Sequence, residues 1–152
     1  MDTTIKRLNL GCGFRRMDGY INIDNRELPG VDLVCDVTEG LPFDDNTMEE
    51  IFCQDFLEHI PIGQTIAVIT DIWRVLKPGG KFHHVTPSTD GRGAFQDPTH
   101  VSFWNRNSWY YYTHPKYREL YGITANFSVG ELTDREEDQR VVYTEGVMYA
   151  IK

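Results

Sequence analysis

Two acids, Asp24 and Asp36, are the residues of this chain best placed to do chemistry. Each closes a short apolar run, and both come after the turn Gly11-Cys12-Gly13. Glycine at 11 and 13 lets the backbone turn sharply and approach a ligand with no Cβ in the way. A carboxylate at Asp24 can accept both hydroxyl hydrogens of a ribose, and one at Asp36 can accept from the exocyclic amine of an adenine. The backbone of Val37 would then meet the ring edge, with Leu41, Pro42 and Phe43 flanking it. Taken singly, each of these landmarks is structural more often than not, since GxG is common in turns and strand-end acids often cap the next helix. Their order, a glycine turn and then an acid after the second and third apolar runs, is the order an adenosine site requires.

The dinucleotide version of that site asks for a third glycine three residues after the second, and for a helix N-terminus to hold a pyrophosphate. Arg16 stands at the third position, and only residues 14–19 separate the first two apolar runs. A ligand with adenosine but no phosphate fits better, and S-adenosylmethionine is such a ligand; nicotinamide and flavin dinucleotides are demoted.

Hydrophobic periodicity gives the elements that must position these groups. Ile5–Leu10, Tyr20–Ile23, Val31–Cys35, Glu50–Cys53 and Lys81–Val85 read as five strands. Ile62, Ile66, Ile69, Ile72, Trp73 and Leu76 recur at threes and fours, predicting a helix over 62–76 that Lys77-Pro78-Gly79-Gly80 stops. A second helical region is expected from Asn107-Ser108 to about Gly122. Phe127–Leu132 and Val141–Ile151 read as two final strands around a solvated turn, Asp134–Gln139. The last of them is apolar on both faces, as for a strand inserted within a covered sheet. Alternating strands and crossovers imply an α/β fold with a mainly parallel sheet. The first two crossovers are shorter than the dozen residues such connections take, so their helices must be a single turn or absent.

With 152 residues the chain fits one domain, residues 1–152. A net charge of −8 without a dense basic run disfavours nucleic acid as a partner. No apolar run is long enough to span a bilayer, and Met1–Arg7 lacks the apolar core of a signal peptide, so a cytoplasmic location is expected. Cys12, Cys35 and Cys53 form no CxxC pair and read as small buried thiols. His83 and His84 are adjacent in a strand and point to opposite faces, so they read as packing residues; no metal is expected.

The segments Leu8–Gly13, Asn22-Ile23-Asp24, Cys35-Asp36-Val37 with Leu41-Pro42-Phe43, and Trp73–Gly80 resemble the class I S-adenosylmethionine-dependent methyltransferases. The resemblance is to the small branch labelled methyltransferase type 11, in which the first crossover helix is often abbreviated. It covers Ile5 to about Val85 strongly and the rest more loosely. It implies a Rossmann-like three-layer α/β/α sandwich on a seven-stranded sheet whose last strand runs antiparallel. It also implies that Asn9, Gly11, Cys12 and Gly13 line the methionine part of the cofactor, Asp24 the ribose, and Asp36 with Val37 the adenine. Gln54 and Asp55 would lie under the cofactor near the methyl group. Asn9 departs from the family, which usually carries an acid two residues before the first glycine.

The methyl acceptor is expected beside the insertion Thr86–Val101. Asp97–Val101 followed by Asn107-Ser108 recurs in this branch, which raises His100 as base or acceptor-orienting group, with Asp97 nearby. His59, in the family-like segment Phe56–Ile60, is a second candidate. Against these stands local use: Asp97 opening a turn at Pro98, His100 bonding nearby, and His59 capping the region before Pro61. Of the aromatic tract Phe103–Tyr112, core packing is the commoner use, with Trp104 a candidate pocket wall. The expected function is methyl transfer from S-adenosylmethionine to a small molecule by a monomer or homodimer. The alternative is a non-catalytic Rossmann-like domain that binds cofactor or a partner without transfer.

Overall fold

The computed structural model describes residues 4–152; Met1–Thr3, part of the segment read for a signal peptide, lie outside the described residues. Seven strands form one sheet: β1 (Arg7–Leu10), β2 (Ile21–Asp24), β3 (Leu33–Val34), β4 (Met48–Gln54), β5 (Leu76–Pro87), β6 (Phe127–Glu136) and β7 (Val142–Ala150). Their spatial order is β3-β2-β1-β4-β5-β7-β6. Strands β1 to β5 pair in parallel, and β7, inserted between β5 and β6, is antiparallel to both. The α/β class and the antiparallel last strand are as expected.

The register sorts the side chains. Leu8 lies opposite Ile21 and Ile51, and Ile51 opposite Phe82, so one face presents a continuous apolar surface. Helix α1 (Thr65–Val75) buries Val68, Ile69, Ile72 and Val75 in that core. Each such side chain contributes roughly 1.5–3 kcal/mol by leaving water. The helix is shorter than predicted. Residues Ile62–Gln64 form a 3₁₀ turn after Pro61 with Ile62 exposed, Ile66 lies on the exposed face of α1, and Leu76 already belongs to β5. Trp109 meets Phe82 edge-on and stacks on His84, so the helical region after β5 covers the same face. The single turn α2 (Gly93–Gln96) precedes that region, which comprises a 3₁₀ turn Arg106–Trp109, α3 (Tyr110–Thr113) and α4 (Pro115–Tyr121). Its cap is Asn105 rather than Asn107 or Ser108: the Asn105 side chain accepts from both their N–H groups while Ser108 Oγ accepts from Asn105 N–H. Gly122, at φ 64°, ends α4 as expected.

The layer that the first crossovers would supply is reduced to loops plus a 3₁₀ turn at Val37–Glu39. In place of a helix, Asn22 ties the first crossover together. Its Oδ1 accepts from Asn9 Nδ2 (2.9 Å) and from Met17 N–H (2.8 Å), and its Nδ2 donates to Asp32 (2.8 Å). Asn9 Nδ2 also donates to the Arg15 carbonyl. A carboxylate at position 9 could donate neither bond, which accounts for asparagine there. One expectation fails for the same reason. β7 is not covered on both faces: Thr144, Gly146, Met148 and Ala150 are buried, but Glu145, Val147 and Tyr149 on the thin side are not.

The thiols of Cys12 and Cys53 are buried and that of Cys35 is partly so; all three are free. Among the described residues no helix is long and apolar enough to cross a membrane.

Candidate functional site

The carboxyl ends of β1, β2 and β4 converge on two adjoining cavities. One, of about 550 Å³, is lined by Asn9, Gly11, Cys12, Gly13, Gln54 and Asp55, with Arg15 at its rim. The other, of about 700 Å³, is lined by Asp24, Asp36, Val37, Asp55, His59 and Thr99. Gly11, Arg26 and Asp55 belong to both, so the two are lobes of one site.

The glycine turn lies between them. Gly11 takes φ 62°, and a Cβ there would collide with the ring of Phe56, which packs directly on the turn. Gly13 takes φ 51°, and a Cβ there would meet no atom: the side of Gly13 that faces away from the protein is open, a cradle left free for a ligand. Replacing Gly11 by alanine combines backbone strain with that collision. G11A is expected to lower the melting temperature by several degrees and S-adenosylhomocysteine affinity at least tenfold, read by thermal melt and calorimetry.

Asp24 holds the turn in shape. Its Oδ2 accepts from Gly13 N–H at 2.8 Å, and its Oδ1 from Arg26 N–H at 3.0 Å. The Arg26 guanidinium also reaches Oδ1, but that side chain is 64% exposed, so the ion pair is a weak tether that a ligand hydroxyl can displace. Asp36 uses Oδ1 to accept from the Thr38 hydroxyl and N–H, which holds its carboxyl below the usual range. Asp55 sits at φ 50°, a left-handed conformation uncommon for a non-glycine residue and typical of functional sites. Burial raises its pKa, and the Arg15 guanidinium 3.9 Å away opposes that rise. The lining thus offers a carboxylate and a guanidinium at one end, an acceptor-rich middle at Asp24, and an acid beside apolar Val37 at the other. This donor and acceptor set fits a phosphate-free adenosine compound that carries an amino acid.

The other candidates gather at the far lip. His59 and His100 meet edge to face with ring centroids 5.1 Å apart. Between them lies Glu58, which sequence reasoning misses. Its side chain is only 2% exposed, neither carboxylate oxygen has a hydrogen-bond partner, and burial pushes its pKa up to about 8. The available signal is a charged residue inside the apolar stretch Phe56–Ile60. His100 is nearly as buried, at 6%, and faces Glu58 and Asp97, not open solvent; His59, at 40%, is the one that looks into the cavity. Asp97 does open a turn, accepting from Thr99 N–H and hydroxyl, and the His100 ring bonds the Ala94 carbonyl. The local uses weighed for these two residues are therefore real, and so is their convergence. Trp104 is buried against Trp109 and bonds Ser102; it also lines a separate cavity with Ile66, Tyr111 and Tyr121, not the lobes described above.

A model of the methyltransferase domain family matches residues 14–83. No curated protein matches the chain in sequence. Among solved structures, an S-adenosylmethionine-dependent methyltransferase of Methanosarcina mazei aligns over 95% of this chain and 92% of its own, at 14% identity and a TM-score of 0.64. The Burkholderia thailandensis 1,6-didemethyltoxoflavin-N1-methyltransferase, solved with 1,6-didemethyltoxoflavin and S-adenosylhomocysteine, aligns over 96% of this chain and 71% of its own, at 17% identity and a TM-score of 0.66. The [4+2]-cyclase SpnF aligns over 97% of this chain and 75% of its own, at 14% identity and a TM-score of 0.68, so the fold by itself does not fix the reaction. The chain's strand order is that of the S-adenosylmethionine-dependent methyltransferases among these structures, residues 14–83 match the methyltransferase domain family, and the pocket lies at the ends of β1 and β2, which together support S-adenosylmethionine as the cofactor.

Proposed function

We propose that the chain is a cytoplasmic enzyme that methylates a small-molecule acceptor. The observation that carries this reading is the continuity of the site. The lobe holding Asp24 and Asp36 also holds His59, so cofactor-binding acids and acceptor-facing groups share one space. When bound, S-adenosylmethionine supplies an electrophilic methyl group on a sulfonium. Asp24 takes the ribose hydroxyls, and Asp36 with Val37 takes the adenine. Asn9 and the Gly11-Cys12-Gly13 backbone shape the methionine end, where Asp55 attracts its ammonium and Arg15 its carboxylate; Gln54 lines the floor beside Asp55. On the acceptor side His59 reaches the cavity directly, while His100 and Asp97 hold the lip on which it sits. The protein's remaining task is alignment of the acceptor with the methyl group, which positioning alone can accelerate greatly.

A small molecule suits a lip of this size, and the Burkholderia thailandensis relative carries one, 1,6-didemethyltoxoflavin. The net charge of −8 disfavours nucleic acid as the acceptor. Two measurements test the proposal together. Calorimetry with S-adenosylhomocysteine is expected to give a dissociation constant in the micromolar range, and incubation of radiolabelled cofactor with a metabolite extract is expected to yield a labelled small product. Absence of binding at millimolar ligand overturns the cofactor site. Binding without any labelled product from extracts or candidate acceptors favours the non-catalytic domain instead.

A further inference from the structure

At the acceptor lip two histidine ring nitrogens and a buried carboxyl converge without a hydrogen bond between them. His100 Nδ1 lies 2.9 Å from the Ala94 carbonyl, which can only accept, so Nδ1 carries the proton and the neutral ring presents a bare Nε2. The Thr99 hydroxyl donates to Asp97 Oδ1 at 2.7 Å, so toward His59 Nδ1, 3.3 Å away, it is an acceptor. His59 therefore also carries its proton on Nδ1 and presents a bare Nε2. Both Nε2 atoms lie 3.9 Å from Glu58 Oε1, and Asp97 Oδ2 lies 3.8 Å from His100 Nε2. Ligand atoms of Glu58, His59 and His100 all lie within 4.8 Å of one another. Glu58 itself is buried, and both its oxygens lack partners. Without a cation the buried Glu58 is held as a neutral acid, and a metal ion among the three groups would bind it as the carboxylate together with the two imidazole lone pairs.

We propose that Glu58, His59 and His100 form a mononuclear site for a divalent transition metal. Bonds of about 2.0–2.1 Å in a tetrahedral site separate ligand atoms by roughly 3.3–3.4 Å. The 3.9 Å separations thus need closing by about half an ångström, and the separation between the two imidazole nitrogens, under 4.8 Å, by at most about 1.5 Å, which side-chain rotation supplies. The two ligand segments are already locked together. Val101 and Ser102 N–H both donate to the Glu58 carbonyl, and Ser102 Oγ donates to that of Leu57. Each imidazole has the outer partner that fixes a metal-binding tautomer, Ala94 for His100 and Thr99 for His59. Two imidazoles and one carboxylate select zinc, iron, manganese or cobalt over magnesium and calcium. Half-exposed His59 supplies the entry path and leaves a coordination position open toward the cavity, where an acceptor oxygen or nitrogen can bind. The expectation of no metal rests on the divergence of His83 and His84, which indeed face opposite sides of β5; the ligands proposed here are other residues.

This site goes beyond the methyl-transfer reading, and its test does not depend on it. The full chain, stripped with a chelator, is titrated with Co²⁺ and Zn²⁺ without cofactor. One equivalent of Co²⁺ is expected to bind with the visible absorption of a low-coordinate nitrogen and oxygen site, and Zn²⁺ is expected to displace it with a dissociation constant below about 10 μM. The isosteric Glu58→Gln and the more exposed His59→Ala are each expected to weaken Zn²⁺ by ~100-fold or more, beyond the roughly 10–100-fold lost when only a ligand's outer partner is removed. Thermal melts establish that both variants fold. Zn²⁺ binding weaker than millimolar, or binding unchanged in a folded variant of either kind, overturns the proposal. S-adenosylhomocysteine titrated into the same samples reports separately on the cofactor site.

Discussion

Asp24→Ala is expected to weaken S-adenosylhomocysteine binding by at least ~100-fold, about 2.7 kcal/mol. A carboxylate accepting two hydroxyl hydrogens makes two charge-assisted hydrogen bonds, each contributing about 1.5–3 kcal/mol. Asp24 does a second job in the same stroke, because its Oδ2 accepts from Gly13 N–H and so fixes the turn that approaches the cofactor. Truncation removes the ligand contact and strands that donor, and the two losses act on the same equilibrium. Asp24→Asn separates them. It keeps one acceptor oxygen and the side-chain shape, so it is expected to retain the melting temperature better while still losing affinity about tenfold, the effect of removing charge from the hydroxyl bonds. Asp36 is predicted to matter less, since an adenine amine offers it a single hydrogen bond and Thr38 already occupies its Oδ1. Calorimetry on the parent, Asp24→Ala, Asp24→Asn and Asp36→Ala orders them. Affinity of Asp24→Ala within threefold of the parent sinks the ribose assignment.

Asp24 and Asp36 are readable because an acid that ends an apolar run in a parallel sheet falls at a strand end, where such sheets bind ligands. The same logic places the glycine turn and, through the missing third glycine, excludes a pyrophosphate. Features that depend on segments distant in the chain escape it. Glu58 and His100 come together only because residues 100–102 return to pair with the carbonyls of Leu57 and Glu58. Nothing in the sequence near either residue encodes that return. Asn22 is unreadable as a hub for a related reason: its role is to replace a crossover helix, and an absent helix leaves no periodicity to read. Periodicity starts α1 too early because isoleucines fit the 3.6-residue repeat through Ile62, whereas the 3₁₀ turn after Pro61 leaves Ile62 in solvent and Ile66 lies on the exposed face of α1. β7 reads as apolar on both faces for a compositional reason; Val147 and Tyr149 serve a surface that loops cover only in part.

The second large effect concerns stability and centres on His84. Its ring is wholly buried, both nitrogens lack partners, and it stacks on Trp109 at 4.0 Å with Phe82 beside it. Gly146 on β7 lies directly against the ring, so closely that a Cβ there would collide with it. Burial pushes the pKa of this ring down to about 3, with His83 adding to the depression. The folded protein therefore holds His84 neutral, whereas the unfolded chain binds a proton below about pH 6.5. Wherever the unfolded state binds more protons, stability rises with pH. The contribution of His84 is thus fully present above about pH 6.5 and is lost progressively as pH falls toward 3. The slope approaches about 1.4 kcal/mol per pH unit, so lowering the pH from 6.5 to 4.5 costs ~2–3 kcal/mol, a large fraction of a typical domain's 5–15 kcal/mol. His84→Leu removes the titration while keeping an apolar side chain between Trp109 and Gly146. Urea unfolding of both proteins at pH 7.5 and pH 4.5 isolates the residue, because every other titrating group is common to the two and cancels in the difference. The parent is expected to lose ~2–3 kcal/mol more than His84→Leu over that interval. Equal losses would mean that the unfolded chain also keeps His84 neutral, or that the folded core opens to let a proton in, and the buried neutral histidine would have to be abandoned.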